Sequence, residues 1–157
     1  MRLELVVIAA IIALDQATKA WVLWAYRPWT WPIEVTPFFN LVLVWNEGIS
    51  FGLLQGNDAS LQRWALTALA VVIAAALWWW LRTGEHGRSQ RWGLVLIIGG
   101  ALGNAIDRAV HGAVVDFLDF HVAGWHWPAF NVADSAIVIG AVLLVLDGLW
   151  GRKPAST

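Results

Sequence analysis

No cysteine occurs anywhere in the chain. That excludes a thiol nucleophile, a disulfide framework and a thiolate metal site, and it leaves the redox compartment unread. Charge is also scarce. Charged residues make up 13% of the chain and hydrophobic ones 59%, far from the balance of a soluble domain. With a net charge of −1 there is no basic surface to suggest nucleic acid. No H-E-x-x-H motif is present, and His86, His111, His121 and His126 are not spaced as a ligand cluster, so no metal and no cofactor are expected. What the chain has in excess is tryptophan, thirteen in 157 residues, more than one core of this size can hide.

These proportions describe a membrane protein. A hydrocarbon core of about 30 Å takes about 20 helical residues to cross, and four stretches are long enough: residues 3–24, 61–81, 92–110 and 130–150. Arg2, Arg82, Arg88, Arg91, Arg152 and Lys153 flank one side, which the positive-inside rule makes cytoplasmic. Both termini then lie in the cytoplasm, and Trp24, Trp29, Trp31, Trp125 and Trp127 mark the outer interface. A second reading takes the first span as a cleaved signal peptide; Glu4 in the basic region and Lys19 beside the cleavage site count against it. The expected fold is therefore an all-α membrane protein, one polytopic domain of four transmembrane helices. Residues 27–59 form an outer segment in which Phe39, Leu41, Leu43 and Trp45 alternate as in a strand. Asn46-Glu47-Gly48 turns into a second short apolar run, so a small β-like segment should lie on the outer membrane surface.

Within that outer segment, Gly48-Ile49-Ser50-Phe51-Gly52 fits the G-x-S-x-G pattern of a hydrolase nucleophile elbow. Such an elbow needs a strand, a helix and a hydrolase sheet with histidine and acid partners, and a four-span chain has no room for that sheet. The glycines suit a tight turn close to a substrate backbone, and Ser50 is read as a bystander.

An ionised group at mid-bilayer costs about 2.5–3.5 kcal/mol, so each needs a reason. At a rise of about 1.5 Å per residue, Asp15 and Asn104 each lie about 18 Å into the membrane and Asp107 about 22 Å. Asn131 and Asp134 fall in the first turns of the fourth span, so three helices bring their polar groups to one outer layer. Asp15 and Lys19 share a face at i, i+4. Asn104, Asp107, Arg108 and His111 form a stripe, and "NAID" and "NVAD" repeat the same N-x-x-D unit. Asp116 and Asp119 hang in the loop just outside. The plain alternative is a set of structural ion pairs, Asp15 with Lys19 and Asp107 with Arg108 or another basic group. Yet Lys19 and Arg108 supply two positive charges against the four carboxylates of Asp15, Asp107, Asp116 and Asp134. Two carboxylates about 4 Å apart repel by about 4 kcal/mol at an effective dielectric constant of 20. That is enough to hold one proton between them near neutrality, the arrangement of an aspartic peptidase.

Four ordered blocks carry a family resemblance over nearly the whole chain: "LDQATKAWV", "FFNLVLVWNEGISFGLL", "GGALGNAIDRAVHGAVVDFLDF" and "FNVADSAIVIG". Together they resemble the lipoprotein signal peptidases, the type II signal peptidases of bacteria. The resemblance implies an aspartic endopeptidase with Asp116 and Asp134 as its dyad, a choice over Asp119 that depth alone leaves open. It also implies that Asn46, Gly48, Asn104, Arg108 and Asn131 line or brace the site, that Asp15 and Lys19 support it, and that Asp107 helps hold the Arg108 guanidinium. The implied substrate is a prolipoprotein cut before its diacylglyceryl-modified cysteine, with membrane lipids around the enzyme, a monomer sufficient, and the bacterial inner membrane as its place. Ser50 stands where alanine is commoner in this family, and Ala113 where an aromatic residue is commoner. Two other functions remain open on the residues: a small transporter using intramembrane Asp and Lys, and a Ser–Lys peptidase using Lys19 with Ser50 or Ser135.

Overall fold

A computed structural model describes residues 2–48 and 59–150. Among these residues four helices are long and apolar enough to span a membrane. They are α1 (Arg2–Ala25), α2 (Ala59–Thr83), α3 (Arg88–His111) and α4 (Val132–Trp150). Their outward faces carry the apolar residues a hydrocarbon solvent requires, among them Leu14, Val72, Val138 and Val145, each more than half exposed. α3 is the axis of the bundle and packs against each of the other three helices. Leu94, Val95 and Ile98 anchor its core against Ile8, Ala74 and Leu81. Glu4 meets Arg91 at 2.8 Å, tying α1 to α3 at one end.

Small residues let the helices approach closely, which is how membrane helices gain packing without a hydrophobic drive. A Cβ on Gly93 would lie 2.8 Å from the Gly140 carbonyl, and one on Gly140 would lie 2.6 Å from that of Gly93. A Cβ on Gly103 would lie 2.8 Å from Asp15 Oδ2, so this glycine makes room for a buried carboxylate.

The strands are β1 (Ile33–Thr36), β2 (Phe39–Asn46), β3 (Val114–Val122) and β4 (Trp125–His126), in an antiparallel sheet of order β1-β2-β3-β4. The expected strand at Phe39–Trp45 is present as β2. The sheet is larger than the outer segment alone, because β2 also pairs with β3, drawn from the connection between α3 and α4. The sequence gives no clean alternation over Val114–Val122 because β3 is buried on both faces along its first half. The apolar run after Gly48, Ser50, and the basic pair Arg152 and Lys153 lie outside the described residues.

β2 and β3 slip by one residue between Leu41 and Val44, a bulge that changes which side chains oppose each other. α3 ends in a left-handed Gly112, whose N–H donates to the Arg108 carbonyl at 3.1 Å. That turn sends the chain straight into β3 and so brings Asp116 back over the helix that carries Asn104 and Asp107.

Candidate active site

Lys19 is buried within the polar layer, 2% exposed. Its ammonium has three N–H donors, and they meet Asp15 Oδ2 at 2.8 Å, Asp107 Oδ2 at 2.8 Å and Asn104 Oδ1 at 3.0 Å. Asp15 Oδ1 accepts the Ala133 N–H at 2.9 Å, which places a carboxylate at the N-terminus of α4, where the helix dipole favours it.

Asp107 is not the partner of Arg108. Residues i and i+1 of a helix point about 100° apart, and Asp107 turns inward to Lys19 while Arg108 turns aside. Arg108 donates only a long hydrogen bond, 3.5 Å, to the Asn104 carbonyl. Its Nε is buried without a partner, and no carboxylate lies within 4 Å of it among the described residues.

Asn131 caps α4 and Asp134 is the third residue of that helix. The Asp134 N–H donates to Asn131 Oδ1 at 2.9 Å and the Asn131 N–H donates to Asp134 Oδ2 at 3.2 Å. This reciprocal pair is the geometry of a capping box, and it explains why N-x-x-D opens the helix. Asn131 then uses its remaining donor elsewhere: Nδ2 lies 2.7 Å from Asp116 Oδ1, with Asn104 Oδ1 and the Val115 carbonyl each at 3.3 Å. Asn104 Nδ2 donates to Asp134 Oδ1 at 2.7 Å. Asn46 Nδ2 donates to Asp116 Oδ2 at 2.9 Å. Gly48, at φ +104, turns so that its N–H donates to Asn46 Oδ1 at 2.9 Å, and a Cβ there would run into Leu66.

The structure therefore brings together Asp15, Lys19, Asn46, Asn104, Asp107, Asn131, Asp116 and Asp134, all singled out in the sequence. Asp116 and Asp134 are held by amides alone and have no Lys or Arg within 4 Å among the described residues. Asp116 is 1% exposed, and burial, reinforced by the nearby Asp134 charge, pushes its carboxyl up to about 6 against the pull of Asn46 and Asn131.

Asp119 belongs to a different cluster. Its odd spacing from Asp116 puts it on the opposite face of β3, where it accepts from His126 Nδ1 at 2.9 Å and from Asn40 Nδ2 at 3.0 Å. Burial raises its carboxyl, but those hydrogen bonds outweigh it and leave the group below its ordinary value. His121 stacks on His126 at 4.7 Å between ring centroids. Among the described residues no group of three or more His, Asp and Glu side chains is arranged to hold a metal ion.

Gln16 was not anticipated. Its Nε2 lies 2.7 Å from Asp107 Oδ1, 3.2 Å from the Gly103 carbonyl and 3.3 Å from Asp15 Oδ2. The available signal was a polar amide inside a membrane span beside Asp15, which a charge-only search passes over. Ser135 donates its hydroxyl to the Asn131 carbonyl at 2.9 Å, and the Lys19 donors are all engaged, so those two residues form no Ser–Lys pair.

Two solved structures, each described as a bacterial membrane enzyme, share this architecture. One aligns with a TM-score of 0.80 at 27% identity, covering 100% of this chain and 95% of that one. The other gives 0.81 at 28% identity, covering 97% and 96%. Four apolar helices under a small sheet, with a buried polar layer where they meet, thus make the molecule a polytopic membrane enzyme. The family described as signal peptidase (SPase) II matches residues 7–150, and the chain belongs to that family. A lipoprotein signal peptidase of Burkholderia thailandensis is 50% identical over 141 residues, covering 88% of this chain and 82% of its own. One of Paraburkholderia phytofirmans is 52% identical over 143 residues, covering 88% and 80%. The chain is a peptidase, and the transporter reading is set aside.

Proposed function

We propose that this peptidase is an aspartic enzyme whose dyad is Asp116 and Asp134, and that it removes the signal peptide from diacylglyceryl-modified prolipoproteins by cutting just before the lipidated cysteine. The observation that carries the reading is Asn131. One residue holds both carboxylates, donating to Asp116 from its side-chain amide and to Asp134 from its backbone N–H, and neither acid has a cationic partner within 4 Å among the described residues. Two acids fixed in this way share a proton as a unit. The ionised member takes a proton from water as the water oxygen attacks the scissile carbonyl carbon, and the protonated member donates to the carbonyl oxygen. On collapse the first acid passes its proton to the nitrogen, the second takes one from the gem-diol, and the C–N bond breaks to release the amine.

The surroundings suit that chemistry. Asn104 and Asn46 orient the outer oxygens of the pair. Arg108 is the one cation of the layer with no carboxylate within 4 Å among the described residues, so its guanidinium is free to fix a polar part of the substrate. Arg82, Arg88 and Arg91 lie at the far ends of α2 and α3, so the positive-inside rule turns the sheet and the site outward from the cytoplasm of a bacterial inner membrane. A scissile bond next to a lipid anchor would be held at that depth. All the named groups come from one chain, so a monomer suffices, and the dyad mechanism calls for no cofactor.

The test is cleavage by the purified chain in lipid vesicles of a prolipoprotein with and without its diacylglyceryl group, with the products read by mass spectrometry. The expected result is a new N-terminus at the lipidated cysteine and no cutting of the unmodified chain. Equal cutting of both forms, or a cut elsewhere, contradicts the substrate assignment.

A further inference from the structure

Asp107, 1% exposed, is spoken for at both oxygens. Oδ2 accepts from Lys19 Nζ at 2.8 Å and from the Val115 N–H at 3.1 Å, while Oδ1 accepts from Gln16 Nε2 at 2.7 Å. Val115 immediately precedes Asp116. Its N–H is held by Asp107 and its carbonyl, in the peptide that leads into Asp116, by Asn131 Nδ2, 3.3 Å away. A continuous chain of contacts therefore runs from α1 through Gln16 to Asp107 on α3, and from there to the backbone of β3 one residue before the acid.

Gln16 has a specific task in this chain. Asp15 and Asp107 share the single ammonium of Lys19 and would otherwise face each other as two buried carboxylates. The Gln16 amide stands between them, donating toward both and toward the Gly103 carbonyl. Satisfied buried networks of this kind fix geometry, because each broken bond leaves a desolvated group without a partner.

We infer that Asp107 and Gln16 are positioning residues for Asp116: together they clamp the Val115 amide, and so set where the start of β3 presents its carboxylate to Asn131 and Asp134. The inference rests on the dyad reading. Both act through the backbone of Val115, Asp107 directly and Gln16 through Asp107. Misplacement of a reacting group by about 1 Å can cost about 100-fold in rate, so loosening this clamp should lower kcat and leave substrate affinity unchanged.

The experiment compares Gln16→Leu, Asp107→Asn and Asp107→Leu in the full chain in lipid, with Asp116→Asn alongside. Asparagine keeps an acceptor oxygen for the Val115 N–H, and leucine does not. Three quantities are read: kcat and KM on a lipid-modified prolipoprotein, and amide hydrogen exchange of residues 113–117 against that of α3 and α4. The expected result is a kcat about tenfold or more lower in Gln16→Leu and lower still in Asp107→Leu. Asp107→Asn should keep more activity than Asp107→Leu, KM should stay within about twofold, and exchange should quicken in the β3 segment while the helices stay protected. An unchanged kcat with unchanged β3 exchange overturns the proposal. So does a rise in KM with kcat intact, or a loss of protection spread evenly over all elements. If Asp107→Leu does not fold, Gln16→Leu decides alone. If Asp116→Asn still cleaves, the dyad reading falls; if Asp116→Asn is dead and Gln16→Leu is normal, only the positioning proposal falls.

Discussion

Asn131 donates its side-chain amide to Asp116 at 2.7 Å, and the same residue caps the helix that carries Asp134. One asparagine thus couples a strand acid to a helix acid. Replacing it with alanine removes the cap and the bridge together. The cap is worth about 1 kcal/mol, whereas the bridge sets the spacing of the two carboxylates of the proposed dyad. Asn131→Ala is expected to lower the unfolding midpoint modestly and cleavage by on the order of 100-fold. Thermal unfolding and prolipoprotein cleavage, measured on one preparation, check the two effects separately.

Asp116 should titrate visibly. Burial and the Asp134 charge hold its proton to about pH 6, so the protonated carboxyl band should fade as pH rises through that value. In Asp134→Asn one of the two causes is gone, and the band should fade at lower pH. Infrared difference spectra with Asp116→Asn as the reference give both curves.

The same shift has a stability consequence. Unfolded, this carboxyl loses its proton near its ordinary value of about 3.9; folded, it keeps the proton to about 6. Between those values the folded chain binds more protons than the unfolded one, so stability declines as pH rises across the window and is level above it. Asp116→Asn should lack that decline and be the more stable protein at pH 8 than the parent, with the difference vanishing at low pH. Unfolding midpoints of the two proteins across this range provide the comparison.

Lys19 carries the heaviest structural duty, since two buried carboxylates depend on it. Lys19→Met leaves both without a cation, a change on the order of 3–5 kcal/mol for a broken buried pair. The expected outcome is loss of folded protein rather than an inactive folded enzyme, seen as a fall in monodisperse yield. A well-folded Lys19→Met chain would contradict the account of this network.

The four spans were legible because lipid leaves helices little latitude: a run of about 20 apolar residues has one common solution. The layer of Asp15, Lys19, Asn104, Asp107, Asn131 and Asp134 was legible because depth follows from rise per residue. Asp116 was not legible in that way, since β3 lacks alternation where both its faces are buried, and only the family resemblance separated it from Asp119. Of the partners open to Asp107, Arg108 or another basic group, the structure has the second, Lys19, because neighbours in sequence diverge on a helix. Gln16 was hidden for another reason: an uncharged amide raises no alarm in a hydropathy reading, although here it stands between two acids.

The most direct measurement is cleavage of a lipid-modified prolipoprotein by Asp116→Asn and Asp134→Asn, made separately, with Asp119→Asn and Ser50→Ala as folded controls. Both dyad variants are expected to leave the substrate uncut, while the two controls process it. Full cleavage by either Asp116→Asn or Asp134→Asn would remove that residue from the chemistry and contradict the aspartic mechanism.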